Sequence, residues 1–568
     1  MVCKVAPKTT SPAHRGAAEP QDAHAQEVTD YETALDIAGY GHFSRSALGA
    51  CACAFFTTGV ENCVMSYVLP AARCELELST YLTGLINMAF MSGGVASAFF
   101  WGIVGDVYGR RNILSFTLLL NGAMTLAQST VRDYRILLAA RSINGFLIGG
   151  PSTLVFTYLS DLVGAKRRQF YLNIVGMSFV AAWLVLPAFA WLVIPIKMEV
   201  ATILPVYSWR LYLAVASVPA FVAGFWTLCL PESPRLLSDT NRSDQALKIL
   251  KYIAKVNSGK VEEFKVKKLI QDDIFVAKTL NSDQNRTKDL FIGVLKDLKM
   301  FVSKTYAVKS SLILFVFFAN MAAGFGLNFW LPELLVRMQS RGCTAQPEQA
   351  RLFEVTNATW RESHYITNDS VVPTNLNGGC SADMDDEVFT SGLIVGACCL
   401  LGNAACALLA ARGGARGVRA AAVACTLACV GACACLAVSA CSCVGSNKIA
   451  VAAASALNAA SLNGNVLLIR LLLHALPPKL SGLGVCWGAW WGRAGGVASN
   501  LAVGALLDYS CPAPFIAVAA LLALSIGAIM MIKLELTSEE LEPRNKTEEI
   551  DNCVEKNTGL DRYISTHM

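Results

Sequence analysis

Charged side chains in the middle of long apolar runs are the residues of this chain that could do chemistry. Glu61 stands in "GVENCVMSYVLP" (59–70), Arg141 opens "RSINGFLIGG" (141–150), and Arg493 lies in "WWGRAGGVASN" (490–500). An ionisable group held inside a membrane is costly and faces a partner, a ligand or water. Glu61 can bind a cation or carry a coupling proton; equally, it can be tied up in a salt bridge to Arg141 or Arg493. Arg141 reads first as a charge that packs helices, and Arg493 fits either packing or a ligand. A second cluster breaks an apolar run at "FFWGIVGDVYGRRNIL" (99–114), where Asp106, Arg110 and Arg111 arrive together among Gly102, Gly105 and Gly109. Glycines allow close backbone approach in such a turn, and the two signs of charge can pair with helix ends and with acids nearby. Asp161, in "YLSDLVGAKRR", is such an acid. Asp106 can sit at a helix N-terminus in the other half of the molecule, and ion pairs here would hold the two halves together, closing one mouth between them until broken, with Gly102, Asp106, Gly109, Arg110, Arg111 and Asp161 as the gate.

Polar groups inside other apolar runs are further candidates for touching a solute. The run 308–335 contains "FFANMAAGFGLNFWLPELL", with Asn320, Asn328 and Trp330 close to Gly324 and Gly326. The glycine pair invites a break in the helix, and broken helices expose backbone groups near the membrane midplane. Asn458 and Asn465, seven residues apart, can share one helix face, with Asn463 on another. Hydrogen bonds between helices explain these asparagines as well as a solute does.

The elements that must position these residues are membrane helices. Of the 568 residues 54% are hydrophobic and 16% charged, against about 25% charged in soluble domains. A membrane helix needs about 20 mainly apolar residues. That template gives twelve spans, near 46–70, 81–104, 112–130, 135–162, 170–195, 210–230, 308–335, 388–410, 420–443, 449–473, 482–507 and 512–533. The expected organisation is an N-terminal polar segment over 1–45 and a six-helix bundle over 46–230. A linker follows over 231–307, then a second six-helix bundle over 308–533 and a tail over 534–568. The linker carries the amphipathic stretch "DQALKILKYIAKV" (244–256).

Short basic loops set the orientation. Arg110/Arg111, Lys166/Arg167/Arg168 and Arg412/Arg416/Arg419 fall on one side when both termini are cytoplasmic. The loop 336–387 is then luminal or extracellular, its sequons at Asn357 and Asn368 are candidates for glycosylation, and a disulfide between Cys343 and Cys380 is one expectation. The net charge of +5 is a topology signal and not a nucleic-acid footprint. Of the 20 cysteines, Cys425, Cys429 and Cys433 share a helix face, where small-residue packing is favoured over a metal site. No metal site, cofactor or enzyme constellation is expected. An internal repeat leaves a faint trace. "ALLAARGGAR" (407–416), laid over "GIVGDVYGRR" (102–111), puts Arg412, Gly414 and Arg416 opposite Val107, Gly109 and Arg111, with Ala411 in place of Asp106.

"GIVGDVYGRR" resembles the signature loop of the major facilitator superfamily, with Val107 where the family usually has a basic residue. "RSINGFLIGG" resembles the family's fourth-span pattern, and "PESPRLL" (231–237) that of its sugar-porter and organic-ion branches. "YETALDIAGYGHF" (31–43), "GVENCVMSYVLP" and "YSWRLYLAVASVPA" (207–220) resemble the synaptic vesicle glycoprotein 2 group, in which an Asp often precedes the Glu by three residues; here that residue is Thr58. The resemblance implies an all-α membrane protein of twelve helices in two six-helix bundles, the major facilitator fold. It implies secondary transport of a small polar or charged organic solute by alternating access. On that reading the solute and lipid are the partners, the proton is the candidate coupling ion, and the protein is a monomer in a plasma or vesicle membrane. The alternative it implies is a non-transporting glycoprotein that keeps the fold as a binding or trafficking platform.

Overall fold

A computed structural model describes residues 28–73, 75–97, 100–195, 208–240, 242–258, 264, 266–269, 303, 307–334, 386–409, 415–441, 447–476, 478–510 and 512–532. The first span is α2 (His42–Ala72). The second is a pair of helices that bend between them, α3 (Thr80–Ser97) and α4 (Phe100–Tyr108). Then come α5 (Arg110–Gln128), α6 (Tyr134–Leu162) and α7 (Ala165–Val193). The sixth span is α8 (Ser208–Ala216) continued by α9 (Val218–Leu228). Short α10 (Pro234–Asp239) and amphipathic α11 (Ser243–Ser258) follow it. The second half consists of α12 (Ala307–Asn328), α13 (Asp386–Leu409), α14 (Ala415–Cys441), α15 (Asn447–Ala475), α16 (Pro478–Tyr509) and α17 (Ala513–Met531).

Eight of these segments are long and apolar enough to cross a membrane by themselves, and the bent α3/α4 pair makes a ninth. The remaining three, α5, α6 and α16, have 19, 29 and 32 residues. They have the length to cross, but they carry the charges and asparagines discussed below.

The two halves pack by one plan. The first span lies against the fifth, and the seventh against the eleventh; the second lies against the fourth, and the eighth against the tenth. The third touches the fourth and sixth, and the ninth the tenth and twelfth. The halves meet through reciprocal pairs, the second span with the eleventh and the fifth with the eighth. The faint repeat in the sequence is therefore a full repeat of packing, as internal transporter repeats require.

Glycine sets how closely helices cross. A Cβ at Gly145 of "RSINGFLIGG" would stand 1.8 Å from the Phe90 carbonyl oxygen, so α3 and α6 touch backbone to backbone. Gly326 answers to the same need in the second half, where a Cβ would stand 1.8 Å from Ser499 Oγ. This corrects the expectation of a break at Gly324 and Gly326. The helix runs through both to Asn328, and the turn falls at Phe329–Trp330.

The segment expected only as polar lead-in has its own fold. A two-residue strand β1 (Val28–Thr29) pairs in parallel with β2 (Lys268–Leu269). Helix α1 (Tyr31–Ile37) buries Ala34 and Leu35 with Leu237, Ala246 and Leu250 from the segment that follows the sixth span. Asn257 clamps the two pieces, donating to the Gly39 carbonyl at 2.8 Å and accepting from the Ser44 amide at 3.2 Å.

Candidate functional site

Glu61 and Arg141 meet inside the N-terminal bundle. Arg141 Nη1 donates to Glu61 Oε2 at 3.0 Å, and its Nη2 donates to the Glu61 carbonyl oxygen at 3.0 Å. Asn121 Nδ2 reaches Oε1 at 3.0 Å, Asn144 Nδ2 reaches Oε2 at 3.3 Å, and the Thr125 hydroxyl also donates to Oε1. The guanidinium stacks over the Phe90 ring, 4.1 Å from its centroid. With exposures of 0% and 1%, neither residue faces open space. Of the alternatives open for Glu61, this is the salt bridge to Arg141. A pair in a dry interior holds when the geometry is good and further hydrogen bonds satisfy its groups; here both Glu61 carboxylate oxygens are bonded, while Arg141 Nε is buried with no partner among the described residues. Asn121, Thr125 and Asn144 were not singled out from the sequence. Their signal was present, because a polar side chain within an apolar span needs a partner.

The signature loop forms a second network at one end of the same bundle, here called the basic face. Arg110 donates to Asp106 Oδ1 through Nε at 3.0 Å and to Asp161 Oδ2 through Nη1 at 2.5 Å. Ser233, from "PESPRLL", caps α10 by accepting from the Leu236 amide at 3.1 Å and donates to Asp161 Oδ2 at 2.5 Å. Glu232 accepts from the Arg111 amide at 3.0 Å. Gly109 has φ +102°, and a Cβ there would stand 2.4 Å from Glu232 Oε2. Both the backbone and the space call for glycine at that point. A Cβ at Gly102 would meet nothing within 4 Å, so no close approach requires that glycine. The Arg111 guanidinium lies on Asn112 Oδ1 (2.8 Å) and the Leu230 carbonyl (3.2 Å). All these partners belong to the N-terminal bundle and the segment after it. In this arrangement the loop ties α4, α5, α6 and α10 together, where the sequence suggested pairs across the halves. Tyr31 donates to the Asp161 carbonyl, and Glu32 pairs with Arg168 at 2.5 Å and Arg235 at 3.2 Å, so α1 is fastened to the same network. Burial, then the Asp161 carboxylate, hold the Tyr31 phenol well above its usual pKa.

Among the described residues, bonds that join the halves are found from mid-span to the opposite face. On that face Arg73, just past α2, pairs with Glu333 at 3.0 Å, and the Trp191 indole donates to Asp386 at 2.8 Å. The Trp330 ring is wedged between the halves, with Cβ positions at Gly84 and Gly504 only 3.3 and 3.2 Å away. At mid-span Arg493 reaches from α16 into the N-terminal bundle. It donates through Nη1 to the Gly94 carbonyl of α3 at 2.8 Å and through Nη2 to Ser152 Oγ of α6 at 2.9 Å. Between these levels a cleft lies between the halves, lined by Ser66, Tyr67, Trp183, Asn328, Leu331 and Gly396. The indole N–H of Trp183 and the amide nitrogen of Asn328 are buried there without a hydrogen-bond partner among the described residues, as the Trp330 indole N–H is at its own place between the halves.

Asn320 and Asn458 lie within the C-terminal half. Asn320 Nδ2 donates to Asn465 Oδ1 at 2.7 Å and to the Ser461 carbonyl at 3.0 Å, joining α12 to α15. Asn458 Nδ2 bonds back to the Ala454 carbonyl of its own helix at 3.0 Å. Asn357, Asn368, Cys343 and Cys380 lie outside the described residues. Among the described residues no group of three or more His, Cys, Asp or Glu side chains is placed to hold a metal ion.

Two pseudo-symmetric bundles, closed against each other on one face around a polar mid-span interface, define a membrane transporter fold. The family model of the Major Facilitator Superfamily matches residues 50–350, and the chain belongs to that superfamily. It is an integral, multi-pass membrane protein, similar to synaptic vesicle glycoprotein 2B of Rattus norvegicus at 28% identity over 334 residues, 56% of this chain and 49% of that one. Synaptic vesicle glycoprotein 2A of Rattus norvegicus is 26% identical over 405 residues, 66% of this chain and 54% of that one. The chain thus spans about half the length of the curated relatives it matches. Among solved structures, the inward-open xylose transporter XylE from E. coli superposes with a TM-score of 0.61 at 14% identity. The match covers 88% of this chain and 99% of that one, and shares the fold.

Proposed function

We propose that the protein is a secondary active transporter that moves a small polar or charged organic solute through the interface between its bundles by alternating access. The basic face is cytoplasmic on this reading, and the opposite face is luminal or extracellular. The observation that carries it is one-sided closure among the described residues: Arg73–Glu333, Trp191–Asp386 and Trp330 join the halves on one face, while the described partners of the Arg110–Asp161 network on the other face belong to one bundle and the segment after it. Rocking the bundles about the mid-span contacts would exchange the closed face for an open one. The unpartnered donors of Trp183 and Asn328 suit acceptor oxygens on a solute. Glu61 is the candidate proton carrier, and taking up a proton would require it to leave Arg141. Asp106 and its neighbours act as the cytoplasmic gate. Uptake by proteoliposomes tests the reading: saturable flux that Glu61→Gln uncouples from a pH gradient and Asp106→Asn slows supports it. Binding without flux favours the platform.

The platform reading has its own support. Glu61 is held by Arg141 and three neutral donors, the surroundings of a charge that packs helices, and the named relatives are glycoproteins of vesicles.

A further inference from the structure

Two arginines lie within membrane spans, Arg141 early in α6 and Arg493 midway along α16, and they are satisfied differently. Arg141 has the Glu61 carboxylate. Arg493 has the Gly94 carbonyl and the Ser152 hydroxyl, both neutral, and among the described residues no carboxylate pairs with it. The sequence explains why its own half supplies none: from 388 to 507 there is no Asp or Glu. The buried acids described in the other half, Glu61 and Asp161, are already bonded to Arg141 and Arg110. Arg493 sits near the middle of α16, deep in the protein, yet keeps part of its surface accessible. A guanidinium placed there without a counter-charge is costly unless a ligand brings one.

We infer that Arg493 selects the charge of the solute, and that the solute is a small organic anion presenting a carboxylate or similar oxyanion. This rests on the transporter reading and names its substrate class. A planar guanidinium takes two oxyanion oxygens at once, a stronger bond than those to a carbonyl and a hydroxyl. An anion bound there competes with Gly94 and Ser152 for the same N–H groups. Binding would thus loosen the mid-span tie between the halves as it neutralises the charge.

The test uses solutes matched in shape and differing in charge: benzoate, phenylphosphonate, benzamide and benzylamine. Uptake by proteoliposomes holding the full chain is measured beside the shift each solute gives to the unfolding temperature of the purified protein. Expected are uptake and stabilisation by one or both anions and by neither of the others. Arg493→Gln should lower both anion readouts at least about tenfold in apparent affinity, Arg493→Lys should keep a fraction, and Ser152→Ala should tighten anion binding by freeing the guanidinium. Monodisperse elution and cooperative unfolding of each variant show that it has folded. Preference for benzamide or benzylamine, or anion uptake unchanged in Arg493→Gln, overturns the inference and leaves the transporter reading standing. Absence of flux and stabilisation with every solute, on protein that unfolds cooperatively, overturns both.

Discussion

The two bundles share a packing plan but not a distribution of charge. In the N-terminal bundle each buried charge is answered from within: Glu61 by Arg141, and Asp161 by Arg110 and Ser233. The C-terminal bundle has almost no acid in its spans, and Arg493 must reach across to the other half for neutral acceptors. The difference suggests a division of labour. A bundle with satisfied charges is a rigid frame, whereas a bundle with an unanswered charge is a place where something else can bind.

Removing one partner of a buried ion pair should break this comparison most visibly. Glu61→Leu leaves Arg141 uncompensated in a dry interior and should cost about 3–5 kcal/mol, read as lost unfolding free energy in detergent. The double variant Glu61→Leu/Arg141→Met should recover most of that loss. Arg493→Met strands no carboxylate, so its stability should change by less than about 1 kcal/mol. A large loss there would mean that Arg493 is structural. Asp161→Asn weakens the bonds to Arg110 and Ser233 together, at about 1–2 kcal/mol by the same measurement. Ser233→Ala removes the cap of α10 and one bond to Asp161, and should cost about 1 kcal/mol. Arg73→Ala breaks a partly exposed pair and should change stability least, by under about 1 kcal/mol, while shifting the balance between open and closed faces.

The spans were legible because each needs about 20 apolar residues, and no other arrangement buries so many in lipid. The Arg110–Asp161 pair was legible because two signs of charge in a short turn must find partners, but Asp106 bonds to Arg110 of its own turn and not to a helix end of the other half. The Glu61–Arg141 pair is one of the two salt bridges that the sequence allows, and only folding decides which arginine is nearer. The fold of residues 28–41 was not legible. Its partners are far along the chain, from Tyr31 and Asp161, 130 residues apart, to Val28 and Lys268 or Gly39 and Asn257, and nothing local marks them. Gly326 misled for a related reason. A glycine that lets Ser499 come close and a glycine that breaks a helix look alike in sequence.

Hydrogen–deuterium exchange on the wild-type chain and on Arg73→Glu tests alternating access most directly. The charge reversal sets two acids against each other on the closed face, at Arg73 and Glu333. Exchange should rise at residues 70–84 and 329–334 and fall at 100–111 and 415–420, because one face opens as the other closes. A rise confined to residues 70–84 and 329–334, with the basic face unchanged, would contradict the account.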